Sequence, residues 1–184
     1  MLLSGAQRSS YLHRLAAAMK RFVLLCAVLN AGCAGMYQQA DESQPHAKLT
    51  IRFTENNLTA GGAQLFYAFD NANCVANQGA ALGSLSWATS KEKVVRLRTG
   101  SRTYIQVATT GIRPGLQACP SGVGMCMTKQ DCVNVVSLIP EPDKSYSIKH
   151  NVEAGRCSVS LVEADSKVAP STYATHPVSE GCKM

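Results

Sequence analysis

No run of apolar residues in this sequence reaches the roughly 18 to 20 that a membrane-spanning helix needs, which excludes a bundle of such helices. Charged residues are scarce at 16%, while hydrophobic residues make up 46%. An intrinsically disordered chain would show the opposite balance. The short motifs that announce catalysis are missing too. There is no G-x-S-x-G elbow for a hydrolytic serine, no H-E-x-x-H zinc helix and no C-x-x-C redox pair. Histidine is sparse. His46, His150 and His176 follow the first 32 residues, share no metal-binding spacing and are expected at the surface. The acidic pairs Asp41-Glu42 and Glu141/Asp143 sit in a polar stretch and a Pro turn, with no sign of acid–base work. Gly61-Gly62 and Gly122/Gly124 lack the spacing that cradles a phosphate. No cofactor, metal or enzymatic activity is therefore expected. A serine, a histidine and an acid gathered from distant positions stay open as a hydrolase alternative, because geometry rather than spacing defines such a site.

What is present begins with a leader. Residues 1–32 hold four basic residues, Arg8, Arg14, Lys20 and Arg21, and no acidic one. Lys20-Arg21 precede the apolar run FVLLCAVL, and small residues follow from Ala31 to Gly35. This is the layout of a secretory signal peptide. Met19 opens a stretch that reads as a complete leader by itself, so residues 1–18 are either an extended basic region or a start upstream of the true one.

The segment VLNAGCAG, 28–35, resembles the lipobox of bacterial lipoproteins: Ala31 and Gly32 match it, and Asn30 stands where an aliphatic residue is usual. The resemblance implies cleavage before Cys33, acylation of that cysteine, and delivery to the outer membrane, since Ala34 is not the Asp that favours inner-membrane retention. Several acyl chains anchor a protein stably without a spanning helix. The alternative is an ordinary leader cut after Ala34 or Gly35, which releases a soluble secreted protein.

Removing the leader's four basic residues from the chain's 18 leaves 14 against 12 acidic, a formal charge of +2. That balance lacks the basic footprint of a nucleic-acid binder. Six cysteines remain: Cys74, Cys119, Cys126, Cys132, Cys157 and Cys182. An even number in an exported chain implies three disulfides. Cys157 with Cys182 is the pairing expected first, because it ties the last strand to the tail. Two of Cys119, Cys126 and Cys132 are expected to pair locally, with Cys74 taking the third bond.

Residues 36–46 are polar and aperiodic and read as a flexible tether, so that 33–46 is the lipidated N-terminus and 47–184 the folded domain. From residue 47 the pattern has period two. Leu49, Ile51 and Phe53 alternate with polar residues, 61–70 is a Gly-led aromatic strand, and Leu85 and Trp87 share a face. Two hairpins are expected, 93–108 around Thr99-Gly100-Ser101 and 145–164 around Ala154-Gly155, with a further strand at 132–139. A short helix is read over 75–82. Residues 109–131 show no periodicity and read as a long loop docked on the domain and stapled by its cysteines. About seven short strands give an all-β, disulfide-stapled sandwich. The stretch 140–166, with Asp143-Lys144, Tyr146 and Cys157, resembles the terminal hairpin of small envelope lipoproteins with transthyretin-like or immunoglobulin-like sandwiches, which implies fold and no activity.

One surface feature stands out. Arg96, Arg98 and Arg102, with Lys91 and Lys93 behind, ring the tip of the 93–108 hairpin and could meet anionic headgroups or an acidic partner. A solvated charged face that guards an edge strand is the simpler account. The expected function is a lipid-anchored envelope protein with a binding or structural role, its partners being the membrane through Cys33 and an envelope protein.

Overall fold

Period-two alternation becomes strands wherever one set of side chains can be buried. The computed structural model describes residues 35–55, 62–75, 78–119, 122–153 and 156–183, with backbone alone over 112–119, 122–131 and at 153. Among the described residues nine strands result: β1 (His46–Arg52), β2 (Ala63–Phe69), β3 (Ala80–Ser86), β4 (Glu92–Arg98), β5 (Thr103–Cys119), β6 (Gly122–Leu138), β7 (Ser145–Glu153), β8 (Arg156–Glu163) and β9 (Ala174–His176). A 3-10 turn follows at Glu180–Cys182. They form two sheets, ordered β4-β1-β7-β8 and β3-β2-β5-β6-β9. Among the described strands all the pairings are antiparallel except β1 with β7. This is the expected all-β sandwich. Its order differs from the immunoglobulin arrangement, in which the first and second strands share a sheet.

The inward set of each strand makes the core between the sheets. It includes Leu49 and Ile51 of β1, Phe66 of β2, Val95 and Leu97 of β4, Ile105 and Val107 of β5, and Tyr146 and Ile148 of β7. A second, smaller cluster forms where Cys74, Val135 and Cys182 pack with Phe69, Val133 and Val178. Val133 and Val135 alternate with the core residue Val136, so this cluster lies on the outer face of the five-stranded sheet. The C-terminal tail thus covers that face, which explains why β5 buries Gln106 and Ala108 as well as Ile105 and Val107.

Several local expectations change. β4 and β5 are not a hairpin, because they belong to opposite sheets and Thr99-Gly100-Ser101 crosses the end of the sandwich. Val95/Leu97 and Ile105/Val107 fill one core from its two sides, which a fold-back within one sheet could not achieve. Gly100 takes φ +83° in this crossing, where its missing Cβ avoids strain. The 145–164 hairpin is present as β7–β8, closing at Glu153↔Arg156. Trp87 lies past the end of β3 and is 64% exposed, whereas Leu85 is buried. Residues 80–82, read as the end of a short helix, start β3.

The stretch 109–131 is not a loop. β5 and β6 pair in unbroken register from Thr103↔Leu138 to Cys119↔Gly122. Among the described residues β2 accompanies β5 as far as Thr110, and β9 meets β6 at 135–137. Beyond Thr110 the two strands are a two-stranded arm whose nine further residues span about 30 Å at the usual rise.

The expected tether is a strap. The amide of Tyr37 donates to Ala81 O (3.1 Å), that of Ala81 to Gly35 O (2.9 Å), and that of Ala40 to Arg96 O (3.3 Å). It runs from β3, the edge of one sheet, to β4, the edge of the other, and buries Ala40. Two unpaired edges are thereby covered.

The disulfides follow this path of the chain. Cys74 bonds Cys182, with Cα atoms 4.9 Å apart, and Cys132 bonds Cys157, at 5.8 Å. The expected Cys157–Cys182 bond is replaced because β9 crosses to the other sheet and carries the tail away from β8.

Candidate functional site

The three arginines are divided among different tasks. Val94, Arg96 and Arg98 lie on the outward face of β4, since Val95 and Leu97 take the core. Arg96 fastens the strap: its Nη1 meets Glu42 Oε1 at 2.9 Å, its Nε donates to Ala40 O at 2.9 Å, and its amide donates to Gln39 Oε1. Arg98 donates its amide to the Tyr37 hydroxyl (3.3 Å) and Nη2 to Gln38 Oε1 (3.2 Å). Arg102, past the crossing, sends Nη1 to Ser137 Oγ and to Thr172 O, both at 2.9 Å. Of the lysines behind them, Lys91 pairs with Glu55 at 2.6 Å and the Lys93 stem lies over Gly83.

Two hollows result. One, of about 600 Å³, lies under the strap between Gln39, Gln44, Asp41, Glu42, Arg96 and Arg98, two acids against two bases. The other, of about 320 Å³, is lined by Arg98, Ser101, Arg102 and Thr103 from the crossing, by Tyr37 and Gln38 from the strap, and by Asp70 after β2. Among the described residues neither Arg98 nor Arg102 is paired with a carboxylate.

Behind Arg102 lies a seam of polar side chains. Ser137 Oγ accepts from Arg102, so its single proton is left for His176 Nε2 at 2.8 Å. Thr172 Oγ1 accepts from the Ile139 amide and donates to its carbonyl. The His176 ring tilts against Tyr104, centroids 5.2 Å apart. This is the serine–histidine contact that a hydrolase would need, but Ser137 is fully buried and no carboxylate bonds His176 among the described residues. The seam holds the tail against β6.

His150 is the largest departure from expectation. It is fully buried on the core side of β7, in phase with Tyr146, Ile148 and Val152, and not on the surface. Nδ1 meets Thr109 Oγ1 on β5 at 2.6 Å, and Nε2 meets Asn134 Oδ1 on β6 at 2.8 Å. The neutral ring satisfies both, donating from Nε2 and accepting at Nδ1. Burial pushes its pKa down to about 4. Gln64 of β2, also fully buried, donates Nε2 to His150 O (3.0 Å) and Thr54 O (3.3 Å), and its Oε1 accepts from the Thr54 amide. The network joins the two sheets where the arm leaves them, beside Cys132–Cys157.

The sequence carried a signal for these residues. Gln64 stands in phase with Phe66 and Ala68, and His150 in phase with Ile148, so polar residues occupied core positions of alternating strands. Ser137 and Thr172 had no such mark. Cys33 lies outside the described residues, as do the side chains of Cys119 and Cys126, whose backbones sit at register positions opposite Gly122 and Gly115 in the arm. Among the described residues no three potential ligands gather to hold a metal. The chain matches no family model, no curated protein and no solved structure.

Proposed function

We propose that this protein is an exported envelope lipoprotein, anchored to the outer membrane through Cys33, whose sandwich has a binding or structural role. The supporting observation is the pair of disulfides, Cys74–Cys182 and Cys132–Cys157, one stapling the tail to the β2–β3 connection and the other joining the two sheets. Such bonds persist in oxidising compartments outside the cytoplasm, in agreement with the leader. The enclosed Ser137 favours binding over the hydrolase alternative.

The test is acyl labelling in cells with mass analysis of the mature N-terminus. An acylated Cys33 at the first position supports the reading. An unmodified N-terminus at residue 35 or 36 makes the protein a soluble secreted binder instead. An uncut chain with reduced thiols in the cytoplasm overturns both.

A further inference from the structure

The 320 Å³ hollow at the sheet crossing falls at the small end of the usual ligand-site range. Its lining is rich in donors. Arg102 is half-buried, and the partners it has, Ser137 Oγ and Thr172 O, are neutral, so its charge is hydrogen-bonded on one side and uncompensated. Only Nη1 is used in those bonds, so among the described residues Nη2 and Nε keep their protons for a further acceptor. Arg98 brings a second guanidinium to the same hollow, held from the strap side by Gln38. The Tyr37 hydroxyl already accepts the Arg98 amide, so its own proton is available to donate, and Ser101 and Thr103 add two more hydroxyls. Asp70 is the one acid on the rim among the described residues, exposed and bonded to neither arginine, so the described lining keeps a net positive charge. Two planar cations and several hydroxyls around a small volume suit an anion with several acceptor oxygens.

We propose that this hollow binds a phosphate-class oxyanion. The inference does not depend on acylation of Cys33. Two sources share the chemistry, free phosphate and the phosphodiester of a lipid headgroup, and the strap that forms one wall begins a few residues after Cys33.

The experiment is amide-resolved NMR of the full chain in a neutral glycoside detergent. It is titrated in separate arms with inorganic phosphate and with short-chain phosphatidylglycerol, and with sodium chloride at matched ionic strength. Saturable shifts at Tyr37, Arg98, Ser101, Arg102 and Thr103 with phosphate identify a soluble ligand. The same shifts with phosphatidylglycerol alone identify a headgroup, and either result supports the site. Arg98→Gln should weaken the binding about tenfold, while Arg52→Gln, whose arginine pairs with Glu92 at 3.1 Å away from the hollow, should leave it unchanged. Arg98 is the residue to replace because Arg102 also holds the tail, and an unchanged spectrum away from the hollow verifies that Arg98→Gln folds. No saturable shift with either probe, equal shifts from chloride, or equal affinity in Arg98→Gln would each overturn the proposal.

Discussion

His150 couples protonation to folding. In the unfolded chain its imidazole titrates near 6.5, and in the folded one near 4. Between those values the unfolded state binds more protons, so its stabilising contribution is complete above pH 6.5, declines as the pH falls through the window, and is gone below about 4. The size follows from the width of the window at about 1.4 kcal/mol per pH unit, on the order of 3 kcal/mol. Urea unfolding at pH 7 and pH 4.5 should show this loss, and His150→Gln should flatten the slope. An equally steep slope in that variant would place the titration elsewhere. The lowered carboxyls of Asp41 and Glu55 act below their ordinary values of 3.8 and 4.5, largely outside the window. A second residue is fixed by contact alone. A Cβ on Gly181 would stand 2.6 Å from Asn73 O and 3.1 Å from Cys74 O, both backbone atoms that cannot swing aside. Gly181→Ala should lower stability by about 1–3 kcal/mol in a thermal melt, whereas Gly100→Asn, strained by the left-handed φ but with open space around it, should cost less, about 1 kcal/mol.

At the scale of elements, alternation was legible and connection was not. β1, β2, β7 and β8 follow from period two in sequence, and the β7–β8 hairpin from its turn. The β4–β5 crossing has the same local chemistry as a hairpin, and only the need to fill a core from two sides separates the two outcomes. In the arm, Ile112, Pro114, Leu116 and Ala118 lie opposite Lys129, Met127, Met125 and Val123, so a period of two exists on each strand, but glycines, a proline and cysteines interrupt it. Disulfide pairing was equally hidden, because it depends on which sheet the tail joins. The pairings found carry their own ordering. Cys74–Cys182 closes 108 residues and Cys132–Cys157 closes 25. In the chain-entropy account the longer loop contributes about 5 kcal/mol and the shorter about 3.5. Replacing Cys74 and Cys182 together by Ala should therefore lower the denaturation midpoint more than replacing Cys132 and Cys157. The reverse order would show that the clamp at the root of the arm matters beyond loop closure.

For the whole molecule the decisive element is the strap, since it turns two open edges into covered ones. Ala34–Met184 is one compact unit, and the segment read from sequence as a spacer is part of it. Polar composition misled because the strap is held by backbone bonds and by Arg96, Arg98 and Tyr37 rather than by an apolar stripe of its own. If Cys33 is the anchored residue, only Ala34 separates it from Gly35, whose carbonyl is already bonded to Ala81. A free tether of 14 residues could let the domain wander tens of ångströms from the bilayer. Two residues allow about 7 Å. Native-state hydrogen exchange distinguishes these pictures without reference to the anchor. The amides of Tyr37 and Ala40, bonded to Ala81 O and Arg96 O, should exchange far more slowly than free peptide, and on the same scale as the neighbouring Ala81 amide. Ala40→Asp, which would put a charge where 5% of the residue is exposed, should release both amides together. It should leave the exchange of β5 and β7 interior amides unchanged. Fast exchange at Tyr37 and Ala40 in the native chain would return this segment to a tether and leave the β3 and β4 edges open to pair with other chains.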